Sequence, residues 1–374
     1  MRFRNIAFLL DSGPRSWSSQ EDRHLRLCQA LKLRGARPVL VFSNKLPPEM
    51  DAKFREFEID VETINYGDGV AHYYRQLGQL IKKYSIDLVH IVFFDYFTPV
   101  AWLARLQGVK TIVYEMQNGG VFRATSWKRT LIHVRNRVMT APVSRVIAIS
   151  EYIKGQLVEG GLSEAKIIVR YLGVDTSRFT PDLVLRERWA KDFAIGPDEI
   201  VLSTVSYLRP IKSPEIIVQA CGMLATRGVP MRLFVAGDGE MLEELKELSQ
   251  RLGIADRTHW LGLVRDPTSL LQASDLFLLA TVGEAFGLVL AESMACGVPV
   301  VGSRAGAIPE VVEDGRTGVL VTPRDPVALA NAIEGLARDP DLRMRMSRDA
   351  VTRVRQSFTL ELAVEATIRI YDDL

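Results

Sequence analysis

Hydrophobic positions along the chain form short continuous apolar runs that alternate with segments of helical periodicity. The first half contains the runs RNIAFLL, PVLVF, IDVETI, DLVHIVFF, KTIVYEM and SRVIAIS, and the second half EIVLSTVSYL, MRLFVAG, THWLG, DLFLLA and PVVGS. Continuous apolar strands separated by helices are typical of parallel sheets covered on both faces. The pattern therefore predicts an α/β protein with a Rossmann-like unit in each half.

The alternation is interrupted at IIVRYLGVDTSRFTPD, where Gly173 and Pro181 indicate a crossing between domains. We expect an N-terminal domain over residues 1–175 and a second domain over residues 176–355. Residues 356–374 are predicted to form a C-terminal helix that crosses back to the first domain. With 374 residues and 47% hydrophobic content, the chain is long enough for two ordinary cores.

The stretch TVGEAFGLVLAESMACG, residues 281–297, contains a predicted buried helix that begins near Gly287. Glu292 is the only charge in its apolar run, and Glu284 lies eight residues earlier, just before the helix. The free N–H groups at a helix N-terminus bind phosphate, and a glycine there lets the phosphate approach closely. Carboxylates on either side of a diphosphate would accept hydrogen bonds from hydroxyls, so the pattern is typical of a sugar-nucleotide site. The alternative is a structural Glu292 that holds the core.

Other polar loops follow predicted strands and should meet at the same sheet edge, since ligands bind outside the carboxyl ends of parallel strands. Arg209 and Lys212 follow VSYL and can neutralise a diphosphate. Ser213 and the following proline are predicted to begin a helix, with Ser213 as N-cap. Gly237 and Asp238 form a turn after FVAG.

The net charge of +2 is unevenly distributed. Residues 1–180 contain 26 Lys and Arg against 17 Asp and Glu, and residues 181–374 contain 21 against 28. Most of the excess lies between Met116 and Ser150, where Arg135, Arg137 and other basic residues interleave with Trp127, Leu131 and Val138. The segment 123–137 contains most of these basic residues. A basic amphipathic helix of this kind is expected to bind an anionic membrane surface or a phosphorylated acceptor, with a solvated basic face as the alternative. Nucleic acid is not expected as a partner.

The three cysteines are far apart and odd in number, which argues against a disulfide framework or a zinc site. The apolar run near the N-terminus is too short for a signal peptide, and no later run approaches the length of a membrane span. We therefore expect a cytoplasmic protein, peripheral at the inner face of the cell membrane.

Several motifs together resemble the retaining glycosyltransferases of family 4, also described as group 1. They are GEAFGLVLAESMACGVPVV, GAIPEVVEDGRTGVLV, ISEYI, LGVDTSRFTP and the GDGE turn. The resemblance implies the GT-B fold, in which two facing Rossmann-like domains with parallel sheets enclose a crevice. It also implies transfer of a sugar from a nucleoside diphosphate sugar to a carbohydrate or lipid-linked acceptor, in polysaccharide, lipopolysaccharide or glycolipid synthesis.

By this resemblance, Glu284 binds the donor-sugar hydroxyls, Glu292 the ribose, and Arg209 and Lys212 face the diphosphate as catalytic cations. The remaining donor-binding positions are Gly13, Gly237, Asp238, Phe286, Gly287 and Leu288. Acceptor-side positions are His90, Gln117 and Asn118, although a buried, hydrogen-bonded role is the alternative for His90.

The sequence also departs from the family pattern. Tyr207 stands where the family usually has arginine, and Ser18-Ser19 replaces a glycine pair. The only Asp-x-Asp element, Asp339-Pro340-Asp341, is predicted to cap a helix, so we expect a reaction that needs no metal or other cofactor. In the front-face mechanism that such enzymes use, the leaving phosphate accepts the acceptor proton. The alternatives are a sugar-nucleotide 2-epimerase and a nonenzymatic sugar-nucleotide binding protein.

Overall fold

The computed structural model describes residues 2–13, 17–94, 98–117 and 126–374. The strands are β1 Asn5–Leu10, β2 Arg37–Phe42, β3 Asp60–Thr63, β4 Leu88–Val92, β5 Thr111–Met116, β6 Arg145–Ala148, β7 Ile167–Val169, β8 Ile200–Val205, β9 Met231–Ala236, β10 Thr258–Gly262, β11 Leu276–Leu279, β12 Val300–Ser303 and β13 Gly318–Val321. The helices are α1 Ser19–Leu33, α2 Pro48–Glu56, α3 Val70–Tyr84, α4 Val100–Leu106, α5 Ser126–Met139, α6 Glu151–Glu159, α7 Leu183–Asp192, α8 Pro214–Thr226, α9 Leu242–Arg251, α10 Thr268–Ala273, α11 Leu288–Ala295, α12 Ile308–Val311, α13 Pro326–Arg338, α14 Pro340–Ser357 and α15 Leu360–Asp372. Short 3-10 helices lie at Tyr66–Asp68, Glu164–Lys166, Pro210–Lys212 and Ala255–Arg257.

The chain divides into two compact units, Met1–Tyr171 with Leu360–Leu374, and Leu172–Thr359. The sheet of the first unit has the strand order β3-β2-β1-β4-β5-β6-β7. Every strand pair in it is parallel. Its inner strands, such as β1 and β4, are buried almost throughout, because helices cover both faces of a parallel sheet. The edge strands β3 and β7 are only partly buried. The helix α15 contributes Val364, Ile368 and Tyr371 to this core.

The sheet of the second unit has the strand order β10-β9-β8-β11-β12-β13, and its pairs are also parallel. The strand order reverses between β8 and β11, which are neighbours in space but distant in sequence. Such a reversal is the usual ligand site of an open α/β sheet. The α/β prediction is thus confirmed, and the second unit has a topological switch point between β8 and β11.

Two local features differ from the sequence-based prediction. The segment predicted as an interdomain crossing contains β7, a three-residue strand. Ser213 occupies the N-cap position of α8, but its side chain makes no capping bond to the helix. Instead its hydroxyl donates to the Pro210 carbonyl oxygen at 3.2 Å, because a left-handed backbone at φ 45° turns the side chain back toward the 3-10 helix.

Candidate functional site

A cavity of about 310 Å³ lies in the second unit at the carboxyl ends of its central strands. Loops that follow β8, β9, β10 and β11 supply its walls, together with the first turn of α11. The lining residues are Val205, Ser206, Tyr207, Lys212, Ala236, Gly237, Asp238, Leu263, Val264, Leu279, Glu284, Gly287, Leu288 and Val289. The cavity therefore occupies the switch-point position that the strand order favours.

Lys212 and Glu284 form an ion pair within this cavity. The Lys212 ammonium donates to Glu284 Oε2 at 2.6 Å, and the side chains are 24% and 16% exposed. The two residues are 72 positions apart in the chain. When a ligand binds in the cavity, the ammonium can donate to a phosphate instead of the carboxylate. The carboxylate can then accept hydrogen bonds from hydroxyls instead of the ammonium.

Backbone hydrogen bonds hold the two loops of this pair together. The carbonyl oxygen of Ile211, next to Lys212, accepts from the buried Thr281 hydroxyl at 2.9 Å and from the Val282 N–H at 3.1 Å. These bonds join the loop after β8 to the loop after β11. They therefore fix the backbone beside Lys212 relative to the segment that leads to Glu284.

A second contact fixes the backbone of Glu284 itself. Its carbonyl oxygen accepts from the Ala307 N–H at 2.8 Å. Next to Ala307, Gly306 adopts φ +56°, and a Cβ atom there would lie 2.2 Å from the same oxygen. Only glycine permits this close approach.

The helix α11 begins at Gly287, which has φ +86° and serves as its N-cap. A Cβ atom on Gly287 would lie 2.7 Å from Leu290 Cδ1 and 3.2 Å from Glu284 Cγ. The first N–H groups of a helix have no partner within it, and the positive end of the helix dipole lies there. Because Gly287, Leu288 and Val289 line the cavity, this end of α11 can receive an anion.

Gly237 and Asp238 form the turn after β9 and also line the cavity. Gly237 has φ +147°, and a Cβ atom there would lie 1.9 Å from the Ser206 carbonyl oxygen. Leu208 N–H donates to the Asp238 carbonyl oxygen at 3.0 Å. The loops after β8 and β9 are thus packed backbone against backbone.

Three predicted residues of the second unit lie outside the cavity lining. The Arg209 guanidinium lies over the Tyr207 ring at 5.3 Å, and Tyr207, which does line the cavity, is 62% exposed. Phe286 is buried against Phe358, with ring centroids 5.6 Å apart. Glu292 is buried on α11, four residues after its first. The cavity therefore groups Lys212, Glu284, Gly237, Asp238, Gly287 and Leu288. Arg209, Phe286 and Glu292 lie outside its lining.

The predicted positions of the first unit divide into two places. Gly13 is exposed after β1, and a Cβ atom on it would lie 2.8 Å from the Asn44 side-chain nitrogen. His90 and Gln117 are buried near Glu115, and Gln117 Nε2 donates to Glu115 Oε1 at 2.6 Å. Asn118 lies outside the described residues.

Glu115 is the centre of a buried polar cluster in the first unit. Arg170 donates to one of its oxygens, Arg23 lies 3.3 Å from the other, and His90 Nε2 lies 3.6 Å away. Burial alone would raise the pKa of Glu115, but the two arginines outweigh it and hold this pKa well below its usual range. Burial lowers the pKa of His90 to about 4, and its Nδ1 is 2.5 Å from the Tyr371 hydroxyl. The cluster joins α1, β4, β5 and α15.

The serine segment before α1 has a structural role. The Ser18 hydroxyl accepts from Gln20 N–H at 3.2 Å, and Glu21 accepts from Ser18 N–H at 2.9 Å. This reciprocal arrangement is a capping box. It gives Ser18, one of the two residues that replace the glycine pair, a role at the start of α1.

Sequence reasoning missed the apolar wall formed by Leu263 and Val264 and the hydroxyl of Thr281. The wall directly follows β10 and could have been found by extending the strand-end rule to that strand. The Thr281 hydrogen bond could not have been found from the sequence, because its acceptor is the Ile211 carbonyl oxygen, 70 residues away.

Two findings bear on cofactors and membranes. Among the described residues, no group of three His, Cys, Asp or Glu side chains is arranged to hold a metal ion. The Asp-x-Asp element begins at Asp339, which caps α14 by accepting from Leu342 N–H at 2.8 Å, as predicted. No helix in the described part of the chain is long and apolar enough to span a bilayer.

Two family models match the chain. Residues 186–353 match "Glycosyl transferases group 1", and residues 22–178 match "Glycosyltransferase Family 4". An N-acetyl-alpha-D-glucosaminyl L-malate synthase of Bacillus anthracis is 37% identical over 184 residues, which are 49% of this chain and 48% of that protein. A D-inositol 3-phosphate glycosyltransferase of Actinosynnema mirum is 31% identical over 293 residues, 73% of this chain and 69% of that protein. The chain thus spans about half of the first relative and about two thirds of the second.

Solved structures resemble the whole chain. The crystal structure of Anabaena HepE in complex with UDP has a TM-score of 0.84 at 22% identity, with 99% of this chain and 100% of that chain covered. A glycosyltransferase from Rickettsia africae has a TM-score of 0.85 at 20% identity, with 100% and 99% covered. These likenesses support the two-unit architecture built from parallel sheets.

Proposed function

Because this chain belongs to the family 4, or group 1, glycosyltransferases and has their GT-B fold, we propose that it transfers a sugar from a nucleoside diphosphate sugar to an acceptor hydroxyl. The observation that carries this proposal is the Lys212–Glu284 pair at 2.6 Å, held in a cavity that also contains the N-terminus of α11. The cation and the helix amides complement the negative charge of a diphosphate, and the carboxylate can accept hydrogen bonds from sugar hydroxyls.

Lys212 has the central catalytic role in this proposal. Cleavage of the bond between the sugar and the diphosphate places negative charge on the leaving group. An ammonium directed at the leaving oxygens is most effective in the transition state, where that charge is greatest. The donor diphosphate would displace Glu284 from Lys212. The Glu284 carboxylate would then accept hydrogen bonds from hydroxyls of the sugar.

The other predicted donor contacts are of two kinds, residues that line the cavity and residues assigned by resemblance. The cavity includes Gly237, Asp238, Gly287 and Leu288, which favours a diphosphate held against the start of α11. Glu292 is assigned to the ribose and Arg209 to the diphosphate by resemblance. Arg209 can serve there if it leaves the Tyr207 ring, over which it lies at 5.3 Å.

We further propose that the anomeric configuration is retained and that no metal takes part. The leaving phosphate oxygen would accept the acceptor proton, so that no side chain is required as a base. Lys212 and the amides of α11 would supply the positive charge that a metal ion provides in other transferases. Transfer should then continue in excess chelator, and the transfer rate with and without chelator measures this directly.

The acceptor is proposed to be a hydroxyl-bearing small molecule or a lipid-linked saccharide. The names of the two relatives favour the first class, and the basic residues of α5 favour the second. Both classes belong in the same assay.

The experiment is a calorimetric screen of UDP-, GDP- and ADP-sugars, followed by mass detection of product with both acceptor classes. UDP-sugars come first because the Anabaena structure contains UDP. Binding of one donor and formation of a glycosylated product are expected. Isomerisation of the donor without acceptor would replace the proposal with an epimerase, and binding without turnover would leave a sugar-nucleotide binding protein.

A further inference from the structure

A small cavity lies in the core of the first unit, beside Glu115. Its volume is about 10 Å³, which is room for one particle of about the size of a water molecule. Helices α1 and α15, strands β1, β4 and β5, and the residue after β7 surround it. Its polar lining consists of Arg23, His24, His90, Glu115, Arg170 and Thr367.

Several buried nitrogen atoms at this cavity have no hydrogen-bond partner in the described part of the chain. They are both terminal nitrogens of Arg23, the Nε of Arg170, His24 Nδ1 and His90 Nε2. All four side chains are buried, with at most 5% of each residue exposed. Buried polar groups without partners are costly and uncommon in native proteins, and several together at one cavity indicate a bound water or ion.

The three arginine nitrogens need an acceptor, because a guanidinium carries N–H donors and no acceptor. The Glu115 carboxylate is already engaged, since its oxygens accept from Arg170 Nη2 and from Gln117 Nε2. Arg23 Nη2 lies 3.3 Å from Glu115 Oε1 without the geometry of a hydrogen bond. A water molecule has two lone pairs and two hydrogens of its own to donate. The cavity therefore suits an acceptor with greater capacity than one water molecule.

The charge at the cavity favours the same kind of ligand. Among the described residues, its lining brings two guanidinium groups and one carboxylate. Burial lowers the pKa of His24 to about 3 and that of His90 to about 4, so both rings are neutral at pH 7. Glu21 also acts on Arg23 electrostatically, but its carboxylate accepts from the Ser18 N–H at 2.9 Å, at the start of α1. A buried excess of positive charge is unfavourable unless an anion offsets it.

We propose that this cavity binds a single chloride ion, held by the side chains of Arg23 and Arg170. A monatomic anion is the class that fits, since about 10 Å³ has no room for phosphate, sulfate or a carboxylate. The ion would accept the arginine N–H groups through charge-assisted hydrogen bonds, and each neutral histidine ring can add one N–H. Because elements from both ends of the chain line the cavity, chloride should stabilise the first unit. The proposal does not depend on the donor site, which lies in the other unit.

The first test is thermal unfolding of the intact protein at pH 7.5, with chloride substituted for gluconate at constant ionic strength. The unfolding temperature should rise with chloride and then level off. At a chloride concentration ten times the dissociation constant, we expect a rise of about 3–6 °C. An unfolding temperature that does not depend on chloride, or that changes without saturation as in a general salt effect, overturns the proposal.

Variants locate the effect. Arg23→Gln should abolish the rise, whereas Arg75→Gln, which replaces an exposed arginine on α3 of the same unit, should keep it. Glu115→Gln removes the negative charge at the cavity, so half-saturation should occur at a chloride concentration lower by about tenfold or more. A chloride response of Arg23→Gln equal to that of the wild type, or a weaker response of Glu115→Gln, contradicts the proposal.

Diffraction from the wild-type protein provides a test that does not require a folded variant. Crystals are grown with bromide in place of chloride, at the concentration that saturates the thermal effect. We expect an anomalous difference peak between the Arg23 and Arg170 side chains. Electron density at that position without anomalous signal would identify a water molecule, and the chloride site would be refuted.

Discussion

The backbone of Glu284 is tied to Ala307, whose N–H donates to the Glu284 carbonyl oxygen at 2.8 Å. This bond links the backbone of Glu284, whose carboxylate lies in the proposed donor site, to the loop after β12. Its geometry depends on Gly306, where a Cβ atom would lie 2.2 Å from the same oxygen. The backbone position of Glu284 therefore depends on a neighbouring residue that has no side chain.

Gly306→Ala should displace Glu284 and weaken donor binding by about tenfold, with a stability loss of about 2–3 kcal/mol from strain and steric conflict. Calorimetry with the donor and urea unfolding measure the two effects. Gly315→Ala is the control, because Gly315 also has positive φ (+75°) but no neighbour within 4 Å of a Cβ. It should cost about 1–2 kcal/mol of stability and leave binding intact. Equal donor affinities for both variants would refute the positioning role of Gly306.

Lys212→Met should lower turnover by about 100-fold or more while the donor still binds, because the ammonium acts mainly on charge that develops in the transition state. Steady-state kinetics with the identified donor provide kcat and KM separately. Lys191→Met, an exposed lysine of the same unit, should behave like the wild type. An unchanged kcat would remove Lys212 from the mechanism.

Thr281→Val removes the hydroxyl that bonds to the Ile211 and Gly283 carbonyl oxygens, both at 2.9 Å. Only the Val282 N–H would then bond to the Ile211 carbonyl oxygen. The loops that hold Lys212 and Glu284 should be less firmly joined, with weaker donor binding and a stability loss of about 1–2 kcal/mol. Thr258→Val is the matched control, since this buried hydroxyl donates to the Ile254 carbonyl oxygen at 2.9 Å, away from the cavity lining. Both variants should lose similar stability in thermal unfolding, but only Thr281→Val should lose donor affinity. If both lose affinity alike, the hydroxyl has no particular role at the site.

The buried histidines of the first unit should make stability depend on pH. Burial lowers the pKa of His90 to about 4 and that of His24 to about 3, whereas an unfolded histidine titrates near 6.5. As the pH falls below about 6.5, the unfolded chain takes up protons that the folded chain does not, so the free energy of unfolding decreases. Each histidine lowers the free energy of unfolding by up to about 1.4 kcal/mol per pH unit, until the pH approaches the pKa of that histidine in the folded protein.

Urea unfolding between pH 7 and pH 5 measures this slope. The range lies above the window of Glu115, whose lowered pKa contributes stability that is lost only below about pH 4.5. His90→Gln should reduce the slope, and His72→Gln, which replaces an exposed histidine of the same unit, is the control. A slope that is the same in wild type and His90→Gln would contradict the assignment.

The sequence predicted the features that depend on local pattern. Continuous apolar runs identified the long strands, and Pro214 correctly indicated a helix start. Strands β7 and β13, of three and four residues, were missed because such short runs carry little periodicity. The capping box of Ser18 and Glu21 was also missed, although its spacing is visible in the sequence.

For the site, sequence reasoning identified which residue types gather but not how they pair. The strand-end rule placed Lys212, Glu284 and Asp238 at one edge. It could not show that Lys212 and Glu284 bond to each other, because the pair is separated by 72 positions. Arg170 was assigned to a crossing segment, whereas it is buried beside Glu115 in the first unit. Contacts at long sequence separation depend on the register and packing of whole elements, which local patterns do not contain.

The return of α15 to the first unit has a consequence for synthesis on the ribosome. The core around β1 and β4 needs Val364, Ile368 and Tyr371, and His90 finds its Tyr371 partner 281 residues later. The core of the unit that begins the chain is therefore complete only after Tyr371 has left the exit tunnel. The second unit, which ends at Thr359, has all of its residues earlier. The order in which the two units are completed is thus the reverse of the order in which they begin.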